Sequence, residues 1–282
     1  MSESRDKLIK KLKAQAYQIQ QDIVKLAVDI GEGHCASALS IADILTALYF
    51  HRMNVDPKNP NMENRDRFVL SKGHACQALY AALYRAGFFD REKLYTFLGP
   101  NTGLPGHPLR GGAPGVEVST GSLGHGISVC VGMALGAKMD KKKYNVFAIV
   151  GDGESNEGIV WEAALAAAHY KLGNLIVILD RNRHQCDGPS ENVMNLDPVK
   201  EKWESFGWEV KTCDGHNMAE LLEVLDQAPF CCDKPSLVLA ETVKGHGVDF
   251  MSDNAIAWHY RAPSKEELEK ALDSLAAAYD CQ

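Results

Sequence analysis

The stretch Val146-Phe147-Ala148-Ile149-Val150-Gly151-Asp152-Gly153-Glu154 sets the architecture. Five apolar residues read as a buried strand, and the run stops at a Gly-Asp-Gly turn. A helical stretch follows. A second apolar run, Leu175 to Leu179, then ends just before Asp180-Arg181-Asn182. One strand–helix–strand unit therefore brings the Asp152 carboxylate and the Asn182 amide to the same edge of a parallel sheet. That edge, outside the carboxyl ends of the strands, is where open α/β sheets bind ligands. Two hard oxygen donors, with a glycine turn and a helix N-terminus between them, suit a divalent cation that holds a diphosphate. Mg²⁺ takes about six oxygens at about 2.1 Å and leaves several positions to phosphate and water. Asp152 offers a charged oxygen, Asn182 a neutral one, and the backbone carbonyl of His184 lies within reach. Ca²⁺ or Mn²⁺ would suit the same donors. Gly153 lets the backbone approach a phosphate.

Outward from this unit, the pattern predicts an α/β fold: a doubly wound, mostly parallel sheet with helices on both faces. The 282 residues fit one large domain, residues 1–282, with a helical segment over about 1–30 and a closing helix over about 264–280. Leu8, Leu12, Ile19, Ile23 and Leu26 recur near helical period. Further helices are expected over residues 40–50 and 75–86, with Gly87 as the closing glycine, and a glycine-rich turn running into a buried helix over 121–137. Strands are expected over 67–71, 208–212 and 235–243, with long loops over 99–115 and 183–198. Asn217 and Glu220 form a capping-box pattern ahead of Leu221. His74, Asp152, Asn182 and Lys244 all follow apolar strand-like runs, so a parallel sheet collects them on one rim.

Composition excludes several classes. A net charge of −7 and the lack of a long basic patch argue against a nucleic-acid partner. No apolar run reaches the roughly 18 residues of a membrane span, and the amino terminus has no secretory-type apolar core, so a cytoplasmic protein is expected. The eight cysteines are irregularly spaced without paired CxxC motifs, and read as small buried apolar residues. Cys35 stands apart because it follows His34 in the candidate site. Ten histidines are too many to interpret singly. His51, His169 and His216 read as surface or satisfied core residues, whereas His34, His74, His107 and His259 sit in glycine or proline turns or beside an aromatic residue.

Gly151-Asp152-Gly153 through Asn182 resembles the cofactor motif of thiamine-diphosphate enzymes. Gly33-His34, Leu70-Ser71-Lys72-Gly73-His74-Ala75, Pro105-Gly106-His107-Pro108, Thr120-Gly121-Ser122-Leu123-Gly124, Glu157-Gly158 and Trp258-His259 resemble transketolase motifs, in that family's order. The likeness runs from about residue 27 to 262 and covers the amino-terminal, diphosphate-binding half. It implies thiamine diphosphate as cofactor and transfer of a two-carbon ketol unit between sugar phosphates. It places Ser37, His74, Gly121, Ser122, Leu123, Asp152, Gly153, Glu157, Asn182, Lys244 and His259 against the cofactor. His34 and His107 fall on donor-sugar hydroxyls, and His74 and His259 at the reaction centre. Imidazoles suit that task because they exchange protons with hydroxyls near neutral pH.

The resemblance also implies something further. In such enzymes a glutamate from a pyrimidine-binding domain activates the cofactor, and no segment here matches that domain. A partner carrying the carboxy-terminal transketolase half is therefore expected, in an α₂β₂ assembly. The chain departs from the family pattern at Cys35-Ala36, His125, His184 and Tyr260-Arg261. Two readings compete with the transferase: another thiamine-diphosphate enzyme, of the deoxyxylulose-phosphate synthase or α-ketoacid dehydrogenase type, and a catalytically silent cofactor-binding subunit. Three histidines suited to sugar hydroxyls favour the transferase.

Overall fold

A computed structural model describes residues 2–100 and 102–280; Met1, Asn101, Cys281 and Gln282, which fall within the expected domain, loop and termini, lie outside the described residues. Five strands form one sheet: β1 (Arg67–Leu70), β2 (Val146–Gly151), β3 (Leu175–Arg181), β4 (Glu209–Asp214) and β5 (Ser236–Glu241). Their order is β1-β2-β3-β5-β4, and every neighbouring pair is parallel. The registers set Gly151 beside Asp180, and Asp180 beside Ala240, so the strand ends share one rim.

The central strands are buried on both sides, as near-continuous apolar runs in parallel sheets require. Successive side chains point to opposite faces. Phe147, Ile149, Ile176 and Ile178 pack into a core with Leu12, Ile19 and Ile23 of the first helix (Ser2–Ile30) and with Leu79 of the helix Cys76–Ala86. Val146, Ala148, Val150, Val177 and Leu179 face the other way, onto Ile127, Ala134, Val160 and Ala164 of the helices His125–Met139 and Gly158–His169. The sheet is thus wound on both faces. The first helix packs against the last, Lys265–Asp280, where Tyr17 stacks on Tyr279. Gly87 has φ of +90° and closes the helix Cys76–Ala86, which is the left-handed position expected of a closing glycine.

Three local expectations need correction. The helix expected over residues 40–50 starts two residues later and does not stay α-helical to its end. The chain makes a short helix at Cys35–Leu39, breaks at Ser40 and Ile41, resumes over Ala42–Ala47 and ends in a π-helical turn, Leu48–Arg52. The break falls where the Ser40 hydroxyl bonds both the Ser37 carbonyl and Asp180, offering the backbone an alternative to a continuous helix. At the second site, Asn217 does cap its helix, accepting from the amides of Ala219 and Glu220. The Glu220 carboxylate does not return to the Asn217 amide. It accepts from the Asn217 side chain and from the Asp214 amide, while the Asn217 N–H goes to the Asp214 carbonyl. Finally, the residue 183–198 loop contains a helical turn, Ser190–Val193, and a helix follows at Val199–Ser205. The latter is anchored by Trp203, fully buried against Trp161 and Trp208.

Candidate active site

A cavity of about 530 Å³ opens at the carboxyl rim of the sheet. His34, Ser37, His74, His107, Gly121, Leu123, Asp152, Gly153, Glu157, Asn182, His184, Lys244 and His259 all line it. Ser122, named on the same grounds, is exposed and does not line it. An open groove of about 610 Å³, bordered by Asp66, Lys142 and Asn145, lies at the amino ends of β1 and β2, on the side of the sheet where α/β folds do not place their sites.

The floor of the cavity is a buried ionic network. Lys72, at the turn after β1, forms an ion pair with Asp180 at the end of β3; both are almost wholly shielded from solvent. Burial pushes the Asp180 carboxyl up, but Lys72, Thr242 and Asn182 outweigh it and hold the group below the usual carboxylate range. The Asn182 side chain donates its Nδ2 to Asp180 at 2.8 Å, and its Oδ1 accepts from the His184 amide at 3.1 Å. This fixes which end of the Asn182 amide is oxygen. Neither Lys72 nor Asp180 stands out in the sequence, because each pairs with a residue far away along the chain.

Asp152 accepts from Arg181 Nη1 at 3.1 Å and from the Arg183 amide. Arg181 is itself buried and also reaches Glu191 and Asp197. Burial raises the Asp152 carboxyl to about 7, more than Arg181 can offset. A buried carboxylate with its charge incompletely compensated, on the wall of a polar cavity, is suited to a bound cation. Gly153 has φ of −59° in the right-handed region, so its backbone does not require glycine, and a Cβ there would make only ordinary contact with the Gln185 side chain. Glu154, one residue on, is buried under the turn. It accepts from the Ser71 hydroxyl and from the amides of Gly124 and Gly151, stapling two glycine turns together. Glu157 is exposed at the start of its helix.

Above this floor the histidines converge. His34 and His74 have ring centroids 4.9 Å apart, His34 and His259 are 5.3 Å apart, and Tyr260 lies 4.7 Å from His34. Lys244 Nζ is 2.7 Å from His259 Nδ1. Burial, then His259, lowers His34 to about 4; burial, then Lys244, lowers His259 to about 4; burial also drives His74 well down. Burial likewise lowers Lys244 to about 8. The imidazoles of His34, His74 and His259 are therefore neutral near pH 7; His259 Nδ1 is taken by Lys244, so Nε2 is the nitrogen it has left for a hydroxyl.

Lys244 is positioned by a brace that the sequence did not reveal. The Val243 amide donates to His216 Nε2 at 2.8 Å, which leaves Nδ1 as the donor to Asp43 at 2.9 Å. His246 stacks on His216 with ring centroids 3.4 Å apart. His216 is thus a satisfied residue, as expected, but it holds the turn that carries Lys244. Two departures from the family pattern resolve simply. Cys35 is fully buried and its thiol is pushed up to about 12, so it is no nucleophile at neutral pH. Arg261 pairs with Glu267 and lies over Trp258, so it is already engaged with residues of its own segment.

The lowered histidines predict a pH effect. Between about pH 6.5 and 4 the unfolded chain takes up protons that buried His34 refuses, so its contribution is full above pH 6.5 and is lost as the pH falls toward 4. Asp152 acts in the opposite sense, which makes a single-site difference the clean readout. Thermal melts of wild type and His34→Asn, from about pH 8 to 4.5, should show wild type losing ground to the variant below about pH 6.5. Parallel Tm profiles would contradict the assignment.

Known proteins resemble this chain in sequence and in fold. The family profile described as "Transketolase, thiamine diphosphate binding domain" matches residues 10–276. The chain belongs to the transketolase family, as its thiamine-diphosphate-binding part. It is 42% identical over 264 residues to one of the subunits of the apulose-4-phosphate transketolase of Phocaeicola vulgatus, covering 94% of this chain and 93% of that one. It is equally similar to a 6-deoxy-6-sulfo-D-fructose transketolase subunit of Clostridium sp., covering 94% and 96%. Transketolase of Campylobacter jejuni superposes with a TM-score of 0.87 at 32% identity, covering 96% of this chain and 43% of that one. The chain thus spans less than half of the solved transketolase chain and nearly all of the two subunits. Among the described residues no helix is long and apolar enough to cross a membrane.

Proposed function

We propose that this chain is the diphosphate- and cation-binding subunit of a two-chain transketolase that moves a two-carbon ketol unit from a ketose phosphate to an aldose phosphate. The observation that carries the reading is the joint placement of Asp152, Asn182 and His184 beside a cluster of neutral histidines in one cavity. The donors fit the cofactor. Asp152, with its carboxyl raised by burial, gains from a nearby divalent charge, and the Asn182 oxygen is aimed by Asp180. Mg²⁺ would be held by the Asp152 carboxylate, the Asn182 amide oxygen and the His184 carbonyl, all hard donors.

Bound thiamine diphosphate would supply a nucleophilic thiazolium carbon to add to the ketose carbonyl and a cationic ring to take up the electron pair left when the C2–C3 bond breaks. This chain's residues do the rest of the local work. Ser37, Gly121, Leu123, Gly153 and Lys244 line the cavity and would hold the cofactor, with Lys244 offering a cation to its phosphate oxygens. By donating to His259 Nδ1, Lys244 leaves the His259 Nε2–H as a donor at the reaction centre, next to His74. His34 and His107 hydrogen-bond hydroxyls of the sugar. Glu157, exposed on the rim, meets the partner chain and organises the site across it.

The partner would carry a pyrimidine-binding domain and the activating glutamate. Glu154 is committed to the glycine turns and cannot serve that end of the cofactor. The near-complete coverage of relatives named as subunits supports this pairing, and we propose a cytoplasmic α₂β₂ complex. The test is turnover by the purified chain, alone and with a chain carrying a transketolase pyrimidine-binding domain. Ketol transfer from a ketose phosphate should appear only with the partner. Full turnover without it, or consumption of pyruvate in place of the ketose, would contradict the proposal.

A further inference from the structure

A smaller cavity of about 130 Å³ opens beside the histidine cluster. His34, His74 and His107 border both this cavity and the larger one, so a chain of substrate atoms held by those histidines passes its mouth. Its inner wall is Gln77, in the helix Cys76–Ala86, with 0% exposure. Among the described residues neither Nε2 nor Oε1 of Gln77 has a hydrogen-bond partner. A buried carboxamide that is wholly unsatisfied is rare and calls for an explanation.

Nothing forces Gln77 into this position by size. The chain accommodates it with a glycine: a Cβ on Gly33 would come within 2.9 Å of Gln77 Oε1, and Gly33 has φ of +126°. The carboxamide therefore lies flat against the backbone that leads into His34. The other walls are Phe97, Leu98 and Tyr260, with no lysine or arginine among the lining residues. A phosphate or sulfonate would find no counter-charge there. A neutral carbon bearing a hydroxyl would find apolar ring and methyl surface for its C–H side and, once a rotamer change turns the shielded Gln77 carboxamide toward the cavity, a donor and an acceptor for its O–H.

We propose that Gln77 is a specificity-determining residue that hydrogen-bonds a neutral, hydroxylated carbon of the substrate in this side cavity. The assignment rests on the sugar-transfer reading for the course of the substrate past His34. It places any anionic end of the sugar elsewhere, away from Phe97 and Leu98. A site built to hydrogen-bond a hydroxyl discriminates strongly, because its own buried polar group is otherwise left unpaired.

The test uses the two-chain complex and ribitol, a neutral pentitol, with binding followed by saturation-transfer NMR. Wild type should bind ribitol saturably, and inorganic phosphate should not displace it from this cavity. Gln77→Met, matched in length but apolar, should weaken ribitol binding about tenfold or more. Its Tm should hold or rise, since the free protein loses only an unsatisfied group, and its thiamine-diphosphate affinity by calorimetry should not change. Gln77→Asn, which shortens the side chain and keeps the amide, should fall between the two and serves if Gln77→Met does not fold. Equal affinity in wild type and variants, or no ribitol binding by wild type, would overturn the assignment. Failure of the cofactor to bind wild type, with ribitol discrimination intact, would instead sink the thiamine reading and leave the side cavity standing.

Discussion

Asp152→Ala should abolish Mg²⁺-dependent binding of thiamine diphosphate while leaving the fold in place. Loss of residues that merely support a metal ligand typically costs 10–100-fold in affinity, so loss of the one charged ligand should exceed about 100-fold. The variant should fold because Arg181, the partner left behind, keeps Glu191 at 3.3 Å and Asp197 at 3.0 Å. Burial already works against the Asp152 charge, so its removal withdraws little stability. Calorimetric titration of the cofactor, with and without Mg²⁺, reads the effect directly. Wild-type affinity in the variant would remove Asp152 from the ligand set. A partner that remained active with the cofactor-free variant would favour the silent-subunit reading.

Asp180→Ala should do the opposite and strike stability first. Asp180 is fully buried and accepts from Lys72, Ser40, Asn182 and Thr242. Its removal strands the Lys72 ammonium in the interior. Breaking one side of a buried ion pair costs about 3–5 kcal/mol. For a domain of this size that corresponds to a fall in Tm of roughly 10 °C. The double variant Lys72→Met/Asp180→Leu should recover much of the loss, since apolar replacement of a buried pair is often neutral. Even with stability recovered, cofactor affinity should stay low, because Asn182 has lost the acceptor that aims its oxygen. A Tm change of less than about 2 °C in Asp180→Ala would show that the pair contributes little.

These two carboxylates show where sequence reading succeeds and where it stops. Asp152 was legible because it ends an apolar run at a glycine turn and has Asn182 at the end of the next run; both are local patterns. The sheet followed from the same runs, and alternation along β2 and β3 sorted their side chains between two cores. Asp180 is just as deeply placed, yet apart from its neighbour Asn182 its partners Ser40, Lys72 and Thr242 come from three distant segments that only the folded chain brings together. The break at Ser40 has the same origin, since the hydroxyl that interrupts the helix bonds Asp180 across the fold.

The histidines divide similarly. His34, His74, His107 and His259 were found by their motif settings rather than by spacing, and the structure gathers them around one cavity. The brace through His216 and Asp43 carried no local pattern. Gln77 was hidden by its surroundings: inside Cys76-Gln77-Ala78-Leu79 a glutamine passes for the polar face of an amphipathic helix, whereas here the helix is buried over this whole stretch.

The position of the cation is the decisive observation for the cofactor site. Crystals of the chain with its partner, grown with thiamine diphosphate and with Mn²⁺ in place of Mg²⁺, would locate the ion by its anomalous scattering. One strong peak is expected at about 2.1–2.2 Å from an Asp152 carboxylate oxygen, the Asn182 amide oxygen and the His184 carbonyl, with diphosphate oxygens completing the shell. A cavity with cofactor but no peak between Asp152 and Asn182, or a peak seated only elsewhere in the chain, would contradict the proposed ligand set and the ketol-transfer function built on it.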